Sequence, residues 1–127
     1  GMSQALEWAI SGRVFDADEA LRGGLVRSVH APGDLLDEAH RIASEIAANT
    51  APVSVALTRQ MMWRMAGAEH PMMAHRIDSR AIAARGSSGD AAEGVASFLE
   101  KRPAQFPDKV SADMPGFFPW WQEPPWA

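Results

Sequence analysis

The sequence contains no cysteine and only two lysines, Lys101 and Lys109, among its 127 residues. The absence of cysteine excludes a disulfide framework, a thiolate nucleophile and a cysteine-ligated metal site. No apolar run approaches the ~20 residues that span a bilayer, and the N-terminus lacks the basic-then-apolar order of a signal peptide. Twelve basic and sixteen acidic residues give a net charge of −4, without the basic surplus that nucleic acid or an anionic membrane attracts. We therefore expect a soluble, cytoplasmic protein that binds neither nucleic acid nor membrane.

The composition is that of one globular domain. Hydrophobic residues make up 46% and charged residues 22% of the chain, which is close to the globular average. A chain of this length buries roughly two-thirds of its unfolded surface, enough for a core. Gly1 ahead of Met2 resembles a residue left by tag removal, and we exclude it from fold reasoning.

The hydrophobic periodicity predicts a mostly α fold with about six helices and one short strand. Helical spacing of apolar residues, Pro at helix starts and Gly at helix ends mark the boundaries. The single predicted strand is Val26 to His30, a short β-branched run that Pro32 and Gly33 end. The predicted helices cover residues 3–11, 16–22, 34–47, 52–65, 71–85 and 90–102, with Asp16 and Asp90 as caps.

The last 25 residues differ in kind from the rest. Six prolines exclude long regular structure, yet a disordered tail is normally poor in aromatic residues. We therefore expect the tail to lie on an apolar surface, either of its own helices or of a neighbour. The predicted division is a helical region, 1–106, and a Pro/Trp-rich tail, 107–127. The aromatic residues of this stretch are Phe106, Phe117, Phe118, Trp120, Trp121 and Trp126.

Titratable residues do not form a recognisable catalytic or metal-binding pattern. His70 and His75 are five apart, whereas a helical metal pair needs a spacing of three or four, and no carboxylate completes a ligand set. Asp90 and Glu93 fall at a helix start, where capping explains them. The sequence therefore predicts no catalytic residue and no metal site. The clustered methionines between Met61 and Met73 are typical either of core packing or of an adaptable binding surface.

Four blocks of the sequence resemble the enoyl-CoA hydratase/isomerase, or crotonase, family. Ala5 to Val26 is similar to its "A-L-x-x-x-x-T-G-R-x-F-x-A-x-E-A-L-x-x-G-L-V" block, and Leu36 to Ala47 to its "L-x-x-A-x-x-x-A-x-x-I-A" helix. Pro52 to Arg59 is similar to "P-x-A-x-x-x-T-K", with Arg59 where lysine is usual. Ser88 to Pro103 is similar to the closing "S-x-D-x-x-E-G-x-x-A-F-L-E-K-R-x-P". The order and spacing agree over roughly residues 5–106.

This resemblance implies the C-terminal part of such a protein, because a whole member is about twice as long. In the family, the oxyanion-hole amides and the acid/base glutamates lie upstream of the segment matched here. The resemblance therefore implies helices through which members assemble as trimers or as dimers of trimers, without catalysis by this chain alone. It also implies a homo-oligomer, and we expect self-association because the apolar faces of residues 5–25 lack their usual cover.

The resemblance further implies that Phe98 and Lys101 reach the adenine end of coenzyme A. No cofactor is required, and a coenzyme A thioester is the implied ligand. Three residues apart on a helix, they share a face, so the ring can stack on adenine while the ammonium pairs with the 3′-phosphate. Arg102 either strengthens that phosphate site or serves the helix C-terminus. The alternative is structural, with Phe98 in the core and Lys101 solvated.

Three functions are compatible with the sequence. The leading interpretation is a C-terminal segment of an acyl-CoA-handling protein, and the second is a free-standing helical interaction module derived from that family. The third is an enzyme that uses an unassigned carboxylate. Whether the short chain is a natural open reading frame or a truncation stays open.

Overall fold

The computed structural model describes residues 1–125 and is mostly helical, as the periodicity predicts. Trp126, one of the predicted tail aromatics, lies outside the described residues. No helix in the described range is both long enough and apolar enough to cross a membrane. The helices are α1 (Met2–Ser11), α2 (Ala17–Arg22), α3 (Leu35–Asn49), α4 (Pro52–Met65), α5 (Pro71–Gly86) and α6 (Gly89–Glu100).

Most helix ends follow from local sequence. Asp16 caps α2 by accepting a hydrogen bond from the Glu19 backbone N–H at 2.8 Å, as its spacing predicts. Proline opens both α4 and α5, where a missing N–H costs nothing. The predicted cap of α6 is wrong. Ser88 Oγ accepts from the Ala91 N–H at 3.2 Å, and Asp90 is the second residue of the helix, with its side chain buried.

The predicted strand from Val26 to His30 is wrong as well. Residues 26–30 form bends and irregular backbone, and no strand occurs in the described part of the chain. The N–H groups of Leu25 and Val26 both donate to the carbonyl of Ala20, which keeps this segment folded back on α2. A β-branched run forms a strand only beside a second strand, and the described residues supply none.

The chain divides into two compact units, and the division falls within α3. In the first unit, Gly1–Ser44, the rings of Trp8 and Phe15 stack with their centroids 4.4 Å apart. Arg13 pairs there with both Glu7 and Glu19. These contacts tie α1, the following loop and α2 together.

In the second unit, which begins at Glu45, α4 packs on α5 and α5 packs on α6. Its core is formed by Val53, Leu57 and Ala81, of which the first two are fully buried. The tail lies on its own helices, which decides between the two alternatives that the sequence left open. Four tail residues pack against this core: Met114, Phe117, Phe118 and Trp120. The boundary at 106/107 stays a prediction.

Polar contacts fasten the tail to the helices. Arg85, near the end of α5, bonds Asp90 at 2.8 Å and also bonds Asp108 at the start of the tail. The Asp108 N–H in turn donates to Asp90 at 3.0 Å. Further along, Arg64 of α4 pairs with Glu123 and lies 4.3 Å from the centre of the Trp121 ring. A proline-rich segment is thus held in place by side chains instead of by a helix or sheet.

Candidate functional site

Phe98 and Lys101 lie at the C-terminal end of α6. The Phe98 side chain is 81% exposed, so it is not a core anchor in the described chain. Lys101 caps α6 in the left-handed conformation (φ 54°), and its N–H donates to the carbonyls of Phe98 and Ser97. A non-glycine residue in this conformation closes the helix and turns the chain sharply toward Pro103. Phe98 and Lys101 therefore both lie at the exposed C-terminal end of α6.

Arg102, the neighbour of Lys101, is held in ion pairs. Its guanidinium bonds Glu93 at 2.6 Å and Glu100 at 2.6 Å, and Glu93 also accepts from the N–H of Gln105. The hydrogen bonds from the Arg102 guanidinium, and to a smaller extent the one from the Gln105 N–H, lower the pKa of Glu93 to about 2. No ion pair joins Lys101 to any residue between 1 and 125. Of the two adjacent cations, Lys101 is therefore the one available to an anionic ligand.

This arrangement offers two kinds of contact to a ligand. The exposed Phe98 ring provides an apolar stacking surface, and the Lys101 ammonium provides a point charge. Val95 and Leu99 on the same helix are also exposed, so the ring belongs to a wider apolar face of α6. The site is open to solvent on the surface and does not enclose a ligand.

Two of the four histidines form local hydrogen bonds. His70 caps α5, accepting a hydrogen bond from the N–H of Met72 at 3.0 Å. His30 is hydrogen-bonded to the hydroxyl of Ser28 at 2.7 Å. Within residues 1–125, no three groups of the metal-ligating types come together.

The clustered methionines divide between packed and exposed positions. Met61 packs against the core, whereas Met62, Met72 and Met73 are exposed. Met62 lies between two open grooves along α4, of about 590 Å³ and about 520 Å³. The larger groove contains a pair that the sequence analysis missed, because Arg59 lies 5.8 Å from the centre of the Trp63 ring. The signal available was their spacing of four residues on one helix.

The chain matches known proteins over most of its length. A family model described as enoyl-CoA hydratase/isomerase matches residues 1–109. An enoyl-CoA hydratase of Alternaria alternata is 38% identical over 111 residues, which cover 87% of this chain and 37% of that protein.

Solved structures show the same similarity. An enoyl-CoA hydratase from Polaromonas sp. JS666 has a TM-score of 0.72 and 27% identity, covering 83% of this chain and 40% of that one. A protein of Mycobacterium abscessus assigned to the enoyl-CoA hydratases/isomerases has a TM-score of 0.74 and 33% identity. That match covers 84% of this chain and 43% of the other. The chain thus spans about two-fifths of the length of the proteins that it matches.

Proposed function

Because the chain belongs to the enoyl-CoA hydratase/isomerase family, we propose that it is the C-terminal segment of such a protein. Its roles are to mediate oligomer assembly and to contact the adenine end of coenzyme A. The four sequence blocks, in the family's order and ending with its closing block, support the C-terminal placement. The chain's span of 37% of a curated relative is in line with a segment of that size.

The observation that carries the coenzyme A contact is the exposure of Phe98 beside Lys101. A core phenylalanine would have no ring face to offer, whereas this one is 81% exposed at the helix end. The cation beside it has no intramolecular ion pair among the described residues, while Arg102 is occupied by Glu93 and Glu100. Adenine stacks on the ring, and the ribose 3′-phosphate pairs with the ammonium.

A comparison of coenzyme A with dephospho-coenzyme A tests this contact. One stacked base and one phosphate pair give a dissociation constant no better than about 0.1–1 mM. Lys101→Ala removes the preference for the 3′-phosphate, and Lys109→Ala, which changes the only other lysine, leaves it intact. Binding is followed by NMR shifts or calorimetry. Equal binding of both ligands, or no binding at millimolar concentration, contradicts the proposal.

Assembly is supported by apolar side chains that the described chain leaves open. In the first unit Leu6, Ile10 and Val14 are exposed, the last of them 97% exposed. Contiguous apolar patches above a few hundred Å² are unusual in monomers, and they mark interaction surfaces. Light scattering is expected to show an oligomer at micromolar concentration, and Ile10→Glu to weaken it. A clean monomer at high micromolar concentration contradicts this role.

We propose further that the chain alone does not hydrate or isomerise enoyl-CoA. The resemblance places the catalytic glutamates and the oxyanion-hole amides upstream, and losing one oxyanion donor typically costs about 3–4 kcal/mol of transition-state stabilisation. An assay on an enoyl-CoA thioester is expected to show only background turnover. Turnover that persists through further purification, at a constant ratio to the protein, contradicts this absence of catalysis.

The alternative is a free-standing helical interaction module, and the two open grooves along α4 favour it. The two functions differ in their ligand. If coenzyme A fails to bind while the chain still associates, the module is the better description.

A further inference from the structure

The larger groove along α4 has the dimensions of a small-molecule site. Its volume of about 590 Å³ lies within the 300–1,000 Å³ usual for ligand pockets. We call it the α4 groove. It is lined by the end of α3, the connection that follows and one side of α4: Asn49, Thr50, Ala51, Ser54, Val55, Thr58, Arg59, Met62 and Trp63.

The charged residue in the lining of the α4 groove favours a ligand of negative charge. Arg59 is the only charged residue in its lining, and no carboxylate lies beside it there. Within the described chain, Arg59 forms no ion pair, and its guanidinium contacts the Trp63 ring instead. An anion that enters this groove therefore meets an unpaired cation without repulsion from an acidic neighbour.

The exposed apolar side chains around Arg59 favour a ligand with a flat aromatic ring. The Trp63 side chain is 72% exposed, and Met62 and Val55 are also exposed in the same lining. Indole rings and thioether sulfurs both favour contact with planar aromatic rings. Arginine, where the resembling motif has lysine, offers a planar fork that pairs with a carboxylate through two parallel hydrogen bonds and also stacks on indole.

We propose that the α4 groove binds a small carboxylate with a planar aromatic body. The ring lies against Trp63 and Met62, and the carboxylate pairs with Arg59. This site uses neither Phe98 nor Lys101, so it is separate from the proposed coenzyme A contact and goes beyond it.

The probe for this site is 2-naphthoate, with 2-naphthamide as its uncharged counterpart of the same shape. Titration of the full chain is followed by NMR shifts of the indole N–H signals, and the Trp63 signal is identified from its loss in Trp63→Leu. Saturable binding of naphthoate is expected, with the amide at least about tenfold weaker because a charge-assisted hydrogen bond is lost.

Two matched variants separate the site from general surface binding. Arg59→Ala is expected to weaken naphthoate binding about tenfold. Arg76→Ala, which removes an exposed arginine of α5 outside the groove, is expected to leave it unchanged. Circular dichroism checks that both variants remain folded.

Three results would overturn the proposal. They are an equal affinity for the amide, no loss of affinity in Arg59→Ala, and no saturable binding at about 10 mM naphthoate. Equal binding of octanoate would overturn its aromatic part, because an aliphatic chain gains nothing from the indole face.

Discussion

The indole of Trp8 lies over Gly23, where a Cβ atom would stand only 2.3 Å from Cη2 of the ring. The same indole stacks on Phe15 and donates its Nε1–H to Glu19 at 2.8 Å. These three contacts fix the ring, and moving it aside would break the stacking on Phe15 and the hydrogen bond to Glu19. Glycine is needed at position 23 because no side chain fits between the end of α2 and this ring.

Replacing Gly23 with alanine is expected to destabilise the first unit by about 1–3 kcal/mol, the usual cost of overpacking. Denaturant unfolding followed by tryptophan fluorescence measures the change. Gly33→Ala is the matched control, because a Cβ atom there meets nothing within 4 Å. If the two variants are equally stable, the Trp8 contact does not fix the turn.

Asp90 is expected to be the polar residue of the second unit least tolerant of substitution. It is only 3% exposed and accepts hydrogen bonds from Arg85 and from the Asp108 N–H. Asp90→Ala leaves both donors without this acceptor, at a cost of about 2–3 kcal/mol in the free energy of unfolding. The exposed Glu100→Ala is the control and is expected to change stability by no more than about 0.5 kcal/mol. A loss below 1 kcal/mol in Asp90→Ala would show that the tail does not depend on this network.

Stability is expected to fall in acid through Glu19 and Glu93. Hydrogen bonds from Arg13 and Arg102, respectively, lower the pKa of each carboxyl from its ordinary value of 4.5 to about 2. Because each carboxyl has a lower pKa in the folded state than in the unfolded state, the unfolded chain binds these protons at a higher pH than the folded chain. The stabilisation is therefore complete above about pH 4.5 and is lost as the pH falls toward 2. Unfolding midpoints at pH 7, 5, 4, 3 and 2 measure this loss.

The variant Glu93→Gln is expected to flatten part of that decline. It removes the carboxyl that titrates, so its stability relative to the unsubstituted chain improves between pH 4.5 and 2. Glu69→Gln changes an exposed carboxyl outside these ion pairs and serves as the control. Parallel pH profiles for Glu93→Gln and the unsubstituted chain would show that the Arg102 pair contributes nothing measurable.

The helices could be predicted from the sequence because the residues that begin and end most of them lie within a few positions of each boundary. Asp16 with Glu19, and proline as the first residue of α4 and of α5, act over one turn of helix. The strand prediction failed because a strand is defined by its partner, and β-branched spacing at Val26 carries no information about whether a partner exists.

The candidate site was predictable only in part. The resemblance identified Phe98 and Lys101, but their spacing on α6 cannot tell an exposed ring from a buried one. The capping role assigned to Asp90 was wrong because its carboxylate instead accepts from Arg85 and from the Asp108 N–H, which lies 18 residues away in the tail. Contacts at that distance depend on where the proline-rich segment folds back, which periodicity does not encode.

The packing of the tail predicts a difference between two tryptophans. Trp120 is half-buried and packs against the core of Val53, Leu57 and Ala81, with Phe118 edge-on at 5.9 Å. Trp120→Ala is expected to cost about 2–4 kcal/mol in the free energy of unfolding, the range for truncating a packed aromatic residue. Trp63→Ala removes a largely exposed ring and is expected to stay within about 0.5 kcal/mol. Thermal and denaturant unfolding measure both losses. If Trp120→Ala and Trp63→Ala change the free energy of unfolding equally, the tail does not cover the core.

Phe98→Ala separates binding from stability at the proposed coenzyme A contact. Because the ring is 81% exposed, its removal is expected to change the free energy of unfolding by no more than about 0.5 kcal/mol at low micromolar protein. Adenine loses its stacking partner, so coenzyme A and dephospho-coenzyme A are both expected to bind about three- to tenfold more weakly, since aromatic stacking is worth about 0.5–1.5 kcal/mol. The preference for the 3′-phosphate persists, because Lys101 is unchanged, and Leu99→Ala on the same exposed face is the matched control. A stability loss above 1 kcal/mol would make the ring structural, whereas unchanged binding by a stable variant would remove Phe98 from the contact.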